Sequence, residues 1–130
     1  MNRSRDWMQQ AKFDLEHARK SITLGDYDWA CFAAHQAAEK AAKAVHLLHG
    51  AIAWGHSVMD LIEKLGETVG AIDADLLDVA RRLDRYYVAP RYPDAHPAGP
   101  SRRYYTESDA RQAVADAERV VSWCDTHFSH

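Results

Sequence analysis

Apolar residues recur every three or four positions along most of the chain, which is the spacing of one face of an amphipathic α-helix. A first helix is predicted from about Arg5 to Thr23, and Gly25 then interrupts the pattern. A second helix is predicted from about Tyr27 to His49, with eight alanines distributed over several of its faces. Because small side chains let neighbouring helices approach closely, we expect this helix to be central.

Three further helices are predicted in the rest of the chain. They run from about Ser57 to Gly66, from about Asp73 to Tyr87, and from Thr106 towards the C-terminus. Thr106 is followed three residues later by Asp109, which is typical of a helix N-terminal cap. No segment shows the period-2 alternation that indicates a strand. The pattern therefore predicts an all-α fold: an antiparallel four-helix up-down bundle with an additional short helix and a long proline-rich loop before the last helix.

The composition excludes several classes of protein. The chain has 130 residues, 47% hydrophobic and 27% charged, so we expect one helical domain over residues 1–130. No apolar run approaches the roughly 20 residues of a membrane span, and the N-terminus lacks the apolar core of a secretory signal. Cys31 and Cys124 fall on apolar helical faces, which favours reduced, packed thiols and a cytoplasmic protein.

Charge is concentrated in one segment of an otherwise acidic chain. The net charge is −3, yet residues 81–103 contain six arginines and two aspartates, a local charge of +4. Such a segment is compatible with a phosphate-bearing ligand bound at one place. A solvated helix face that carries a few arginines is an equally good interpretation.

The connection before the last helix is unusually long. It runs over eighteen residues, from Val88 to Tyr105, whereas about two to eight residues join helices in most bundles. All four prolines of the chain lie within it and lower the entropy cost of holding one conformation. Long structured loops on rigid scaffolds often carry function, so we expect functional side chains here. Arg91 and His96 are five positions apart in this loop, which by spacing alone is weak evidence for a catalytic pair.

Several segments form a recognisable set of motifs. They are Asp6-Trp7, Ala30–Lys43, His56-Ser57-Val58, Tyr86–Ala95 and Tyr104–Ala110. In order and spacing they resemble the HEPN family, named for the higher eukaryotes and prokaryotes nucleotide-binding domain. The resemblance extends from Asp6 to about Phe128. It implies an all-α bundle that usually forms a homodimer and brings the long loop beside its symmetry mate.

Many members of that family are metal-independent ribonucleases, marked by an arginine and a histidine with four to six residues between them. Arg91 and His96, with four residues between them, match this signature and are the implied catalytic pair. No metal or other cofactor is implied. In such a nuclease a neutral His96 removes the ribose 2′-hydroxyl proton, Arg91 stabilises the phosphorane, and a second acid protonates the leaving 5′-oxygen. Because each chain brings one such histidine, base and acid are expected from opposite chains of a dimer.

The remaining side chains of the loop are candidate contacts to RNA or a nucleotide. They are Tyr92, Asp94, Arg102, Arg103 and Tyr104. A tyrosine ring stacks on a base with about 1–3 kcal/mol, but tyrosine hydroxyls equally serve to pin loops. Asp94 is better explained as a cap or a link to Arg91 than as a catalytic carboxylate.

The resemblance leaves two functions open. The first is a HEPN-type, toxin-like endoribonuclease controlled by a minimal nucleotidyltransferase partner. The alternative is a non-catalytic nucleotide-binding or protein-interaction module. Active nucleases commonly have a polar residue such as asparagine directly after the arginine, where this chain has Tyr92. Toxins neutralised by nucleotidyl transfer typically have a tyrosine two places after the histidine, where this chain has Ala98. His96 thus favours the enzyme, and these two departures favour the module.

Five polar residues outside the loop have simpler interpretations. His46 and His49 are three apart on a helix but have no obvious third metal ligand, so packing or surface roles are favoured. Glu39 and Lys43 are expected to form an ordinary i,i+4 ion pair. His56 is expected to pack at the entrance of a helix.

Overall fold

The chain folds into the five helices that its apolar periodicity predicts. The computed structural model describes residues 2–129, so the two ends of the expected domain, Met1 and His130, lie outside the described residues. The helices are α1 (Ser4–Thr23), α2 (Tyr27–Leu48), α3 (Val58–Val69), α4 (Ala74–Asp84) and α5 (Glu107–Asp125). Residues 2–129 contain no strand, and the all-α class is confirmed. None of the helices described has the length and apolar character needed to cross a bilayer.

Helix α2 lies at the centre of the fold, as its alanines predict. It contacts α1, α3, α4 and α5. All eight of its alanines are buried, seven of them completely. Larger core side chains come from the surrounding helices, for example Ile62 on α3 and Leu83 on α4. Because a methyl group adds little width to a helix, α2 accommodates neighbours on several of its faces.

The two cysteines are packed as expected. Cys31 on α2 and Cys124 on α5 are free thiols with no exposed surface. Burial raises the pKa of Cys31 to about 12, and it also raises the pKa of Cys124. Both side chains therefore remain neutral thiols that behave as small apolar residues.

Helix α3 continues three residues beyond its predicted end at Gly66. A β-carbon at Gly66 would lie 3.3 Å from the Ile72 side chain, so this glycine allows a close approach within a continuing helix. The helix ends before Gly70, whose φ of 98° is costly for a residue with a side chain. The predicted boundary was wrong because periodicity does not distinguish a glycine that permits packing from one that ends a helix.

Helix α4 ends at Asp84, three residues before the predicted end at Tyr87. The N–H groups after its last turn bond to carbonyls three residues back, which tightens the helix end. The ring of Tyr87 packs on α2 and on the α2–α3 connection (residues 49–57). These tertiary contacts direct the chain away from the helical path that the apolar stripe predicts.

Helix α5 begins with the predicted cap. Thr106 Oγ1 accepts the Asp109 N–H at 3.1 Å, and the Asp109 carboxylate accepts the Thr106 N–H at 2.9 Å. This reciprocal pair satisfies two N–H groups that have no partner within the helix. The preceding long loop (residues 88–105) contains two short 3₁₀ turns, Pro93–Ala95 and Ser101–Tyr104, which the sequence did not indicate.

Candidate active site in the long loop

Arg91 is held against α2 by aromatic rings. Its Nε donates to the Tyr87 carbonyl oxygen at 2.7 Å. The guanidinium carbon lies 4.3 Å from the ring centre of Phe32, 4.7 Å from that of Tyr87 and 5.1 Å from that of Tyr92. These rings attract the cation through their π faces. Within residues 2–129 its terminal nitrogens form no hydrogen bond, so they are available to an anion.

His96 is half-buried, and its orientation is set by a backbone carbonyl and two rings. Nε2 lies 2.8 Å from the Ala89 carbonyl oxygen, and because a carbonyl only accepts, Nε2 is the donor. The imidazole stacks on Tyr104 at 4.4 Å with 6° between the planes, and Tyr105 meets it edge-on at 5.6 Å. Burial raises the pKa of Tyr105 to about 12, so this neighbour stays a neutral phenol. In the neutral imidazole Nδ1 is then the unprotonated nitrogen, which suits a base.

Arg91 and His96 are anchored at the same short segment but on different groups. Their carbonyl partners belong to Tyr87 and Ala89, which are two residues apart, so the anchor points lie within about 7 Å of each other. No hydrogen bond, ion pair or ring contact in the described part of the chain joins the two side chains. The loop thus brings a guanidinium and an imidazole to residues 87–89 without pairing them.

The other predicted contact residues of the loop occupy different environments. Tyr92 and Asp94 are exposed. The expected link between Asp94 and Arg91 is not formed among residues 2–129, because Arg91 is held by rings and a carbonyl instead. Tyr104 pins the loop: its hydroxyl donates to the Ala98 carbonyl oxygen at 2.5 Å and accepts the Ala98 N–H at 3.2 Å.

Much of the basic segment is engaged inside the protein. Arg82 forms a two-pronged ion pair with the buried Asp116, at 3.0 and 2.9 Å. Arg102 reaches the α1–α2 connection, where it donates to the Gly25 carbonyl oxygen at 3.1 Å and lies 3.6 Å from the Asp26 carboxylate.

Arg103 is exposed and its side chain bonds no other described residue. The local charge of +4 therefore overstates what a ligand would meet, and Arg91 and Arg103 are the loop arginines with open terminal nitrogens.

Tyr87 and His56 belong to the site, although the sequence did not indicate it. The His56 ring stacks on Tyr87 at 4.4 Å, with 16° between the planes. His56 Nδ1 lies 2.9 Å from Oε1 of the buried Glu39, which also accepts from Lys43 at 3.1 Å. The predicted Glu39–Lys43 pair is confirmed. The Glu39–His56 contact spans seventeen positions, so helical spacing carries no sign of it.

Asp84, the last residue of α4, is a second polar centre that the sequence did not indicate. Its carboxylate accepts from the Ser57 hydroxyl at 2.7 Å and from the first two N–H groups of α3 at 2.6 and 3.2 Å. Nε2 of the fully buried His35 lies 3.3 Å away, and the His35 ring contacts Tyr87 at 5.2 Å. Burial favours the neutral carboxyl group, but the contacts with His35, Ser57 and the α3 backbone outweigh it and lower the pKa of Asp84. Through the His35 ring, this cluster packs against Tyr87.

The packing interpretation of His46 is confirmed. Its ring is buried, and Nε2 donates to the Leu61 carbonyl oxygen at 2.9 Å. This bond joins α2 to α3. His49, one turn further along, is exposed.

The fold and the loop together define a small helical domain that presents an arginine and a histidine before its last helix. The chain belongs to the HEPN domain family, whose model matches residues 4–127. This membership confirms the family that the sequence motifs indicate.

Solved structures with similar folds are also similar in sequence. TT1696 from Thermus thermophilus superimposes with a TM-score of 0.94 and 50% identity, over 98% of this chain and 100% of that one. ST0689, an archaeal HEPN homologue, gives 0.81 and 38% identity over 98% of each chain. The HEPN domain protein TM0613 from Thermotoga maritima gives 0.76 and 41% identity, over 94% of this chain and 96% of that one.

A more distant relative bears a functional name. It is the Methanocaldococcus jannaschii protein called "Putative toxin MJ1304", which is 28% identical over 123 residues, covering 88% of this chain and 81% of the relative. This chain is thus a HEPN protein with similarity to a protein named as a toxin.

Proposed function

We propose that this protein is a toxin-like HEPN endoribonuclease that cleaves RNA without a metal ion, with Arg91 and His96 as its catalytic residues. The observation that carries the proposal is the anchoring of both side chains at residues 87–89 with nitrogens left open on each. The similarity to the Methanocaldococcus jannaschii protein supports the toxin-like character.

The chemistry proceeds by transfer of the phosphoryl group to the neighbouring ribose oxygen. His96 Nδ1 removes the proton from the 2′-hydroxyl, and the 2′-oxygen attacks the adjacent phosphorus. The terminal nitrogens of Arg91 bind the non-bridging oxygens and stabilise the negative charge that develops on them. Because three rings and a carbonyl hold Arg91, its guanidinium needs little reorganisation when the phosphate binds.

The proposal extends to the substrate and the partners. RNA in the cytoplasm is the substrate, with base stacking on the exposed Tyr92 and phosphate contacts from Arg103. Arg102 and Tyr104 act mainly by holding the loop, whereas the exposed Asp94 accepts hydrogen bonds from the bound nucleotide. One domain spans the chain, a homodimer is the working unit, and a minimal nucleotidyltransferase serves as the antitoxin partner.

A non-catalytic nucleotide-binding module is the second candidate. It is favoured by the contacts of His96, since a bond to Ala89 and a stack on Tyr104 hold the loop and would account for this ring without catalysis. Under this alternative the protein binds RNA or a nucleotide without changing it.

The test is cleavage of RNA by the purified protein in the presence of EDTA. We expect products with 2′,3′-cyclic phosphate ends, and a loss of about 100-fold or more in rate for both Arg91→Ala and His96→Ala. Arg85→Ala and His17→Ala serve as matched controls, because both side chains are exposed and form no hydrogen bond or ion pair with another described residue. They should change the rate by less than about 10-fold.

Two outcomes would overturn the proposal. Cleavage that survives both Arg91→Ala and His96→Ala would exclude this pair. Binding of RNA without any cleavage by the wild-type protein would favour the non-catalytic module.

A further inference from the structure

Glu39, Lys43 and His56 form an ionisable cluster beside the long loop, where α2 meets the α2–α3 connection. One carboxylate oxygen of Glu39 lies 2.9 Å from His56 Nδ1, and the other lies 3.1 Å from Lys43 Nζ. The Glu39 side chain is 5% exposed, whereas that of His56 is 54% exposed. A buried carboxylate thus orients an imidazole that is accessible from solvent. Carboxylate–histidine pairs of this kind set the tautomer and the orientation of the ring in acid–base catalysis.

The same imidazole lies close to Arg91 through a shared neighbour. His56 stacks on the Tyr87 ring at 4.4 Å, and the guanidinium of Arg91 lies 4.7 Å from the centre of that ring and 4.3 Å from that of Phe32. The Phe32 and Tyr87 ring centres are 6.3 Å apart, and the guanidinium of Arg91 contacts both rings. Arg91 and His56 therefore both contact the ring of Tyr87.

Both side chains have polar atoms free to meet a ligand. The Glu39 carboxylate only accepts, so His56 Nδ1 is its donor, and Nε2 bonds no other described residue. The terminal nitrogens of Arg91 and the Tyr87 hydroxyl also form no hydrogen bond within residues 2–129. Donors from the α2–α3 connection and from the loop are therefore presented around one tyrosine.

We propose that His56 is the general acid of the ribonuclease reaction, an inference that rests on the proposed function. His56 Nε2 donates its proton to the leaving 5′-oxygen while Arg91 holds the phosphate and His96 acts as the base. The two imidazoles differ in their charged neighbours. The Glu39 carboxylate lies 2.9 Å from His56, whereas the contacts of the His96 ring within residues 2–129 are a carbonyl oxygen and tyrosine rings.

The step balances without a further reactant. The 2′-hydroxyl proton moves to His96, the 2′-oxygen bonds to phosphorus, and the bond from phosphorus to the 5′-oxygen breaks. The 5′-oxygen leaves with the proton from His56, giving a 2′,3′-cyclic phosphate and a 5′-hydroxyl end. Proton exchange with water restores both histidines.

The experiment uses two oligoribonucleotides that differ in one atom at the cleaved linkage. One has the natural 5′-oxygen, and the other has a 5′-sulfur, which leaves without being protonated. We expect His56→Asn to slow cleavage of the oxygen substrate by about 10²–10⁴-fold, and cleavage of the sulfur substrate by less than about 5-fold. His96→Ala should slow both, because the base is needed for either leaving group.

Two further variants separate catalysis from folding. Glu39→Gln keeps an acceptor for His56 but removes the charge, so it should slow the oxygen substrate selectively and by a smaller factor than His56→Asn. His49→Asn is the control, since this exposed histidine lies on the same connection and its side chain makes no bond to another described residue. It should leave both rates unchanged.

The outcomes distinguish failure of this inference from failure of the proposed function. If His56→Asn slows cleavage of both substrates equally, or of neither, the acid assignment is wrong while the proposed ribonuclease function still stands. If His96→Ala slows cleavage of the oxygen substrate but not of the sulfur substrate, the two roles are reversed, and this result would also overturn the acid assignment. If the wild-type protein cleaves neither substrate, the ribonuclease and the acid assignment fall together.

Discussion

Replacing Asp84 by alanine should destabilise the protein more than replacing any other carboxylate of α4. Asp84 joins the end of α4 to the start of α3 through three hydrogen bonds and faces the buried His35 at 3.3 Å. Its side chain is 23% exposed, so water replaces these contacts only in part. The variant leaves the first N–H groups of α3 and the Ser57 hydroxyl without their acceptor.

The size of the effect follows from these contacts. Loss of a helix N-terminal acceptor costs about 1 kcal/mol, and a buried donor left without a partner costs about 1–3 kcal/mol. Since Val58 is fully buried and Met59 half-buried, we expect a loss of about 2–4 kcal/mol in the free energy of unfolding. For a chain of this length that corresponds to a decrease in Tm of about 10 °C.

The same carboxylate makes stability depend on pH in a defined direction. The pKa of Asp84 is lowered in the folded state, so the unfolded chain takes up the proton at a higher pH than the folded protein does. Its contribution is present above the ordinary aspartate pKa of about 3.9 and is lost as pH falls through the lower, folded value. The stability difference between wild type and Asp84→Asn should therefore shrink below about pH 4.

Urea unfolding followed by circular dichroism, at pH 7 and at several values down to pH 3, measures both effects. Asp78→Ala is the control on the same helix, because its side chain is 59% exposed and its ion pair among the described residues is the exposed one with Arg81. It should change the free energy of unfolding by less than about 1 kcal/mol. A loss below about 1 kcal/mol for Asp84→Ala, or a difference for Asp84→Asn that grows in acid, would refute this account of the α3–α4 junction.

Three further outcomes are expected. Thr106→Ala removes the acceptor of the α5 capping box and should lower the free energy of unfolding by about 1 kcal/mol, measured in urea. Arg82→Ala leaves the buried Asp116 without its two-pronged partner and should cost about 1–3 kcal/mol by the same measurement. Cys31 and Cys124, buried and with raised pKa values, should react with a thiol reagent at neutral pH only after unfolding.

The first two predictions have matched control variants, and the third has a direct contradicting result. The Ser108 side chain in the first turn of α5 makes no bond to another described residue, so Ser108→Ala should be neutral, and an equal loss in both variants would argue against the cap. Arg81→Ala removes only an exposed i,i+3 pair and should cost less than about 1 kcal/mol. Rapid labelling of either thiol in the folded protein would contradict the burial of the cysteines.

Several residues of the site could be predicted from the sequence because they lie close together along the chain. Arg91 and His96 are separated by four residues, and their loop stands out by its length and its prolines. The roles of Asp84 and Glu39 at the site could not be predicted from the sequence, because the groups they bind there lie on other helices and connections. His56 was expected only to pack at a helix entrance, since nothing in the local pattern connects it with a carboxylate seventeen positions earlier.

Local sequence patterns predict the helical class, the central place of the alanine-rich helix, the α5 cap and the identity of the loop that carries the arginine and histidine. Each of these depends on spacing within a few residues, which the order of amino acids contains directly. Tertiary packing sets where α4 ends, and it brings Arg91 and His56 to one ring, that of Tyr87. Packing between distant helices sets these features, because the free energy of burying a ring or pairing a carboxylate exceeds the local preference to continue a helix.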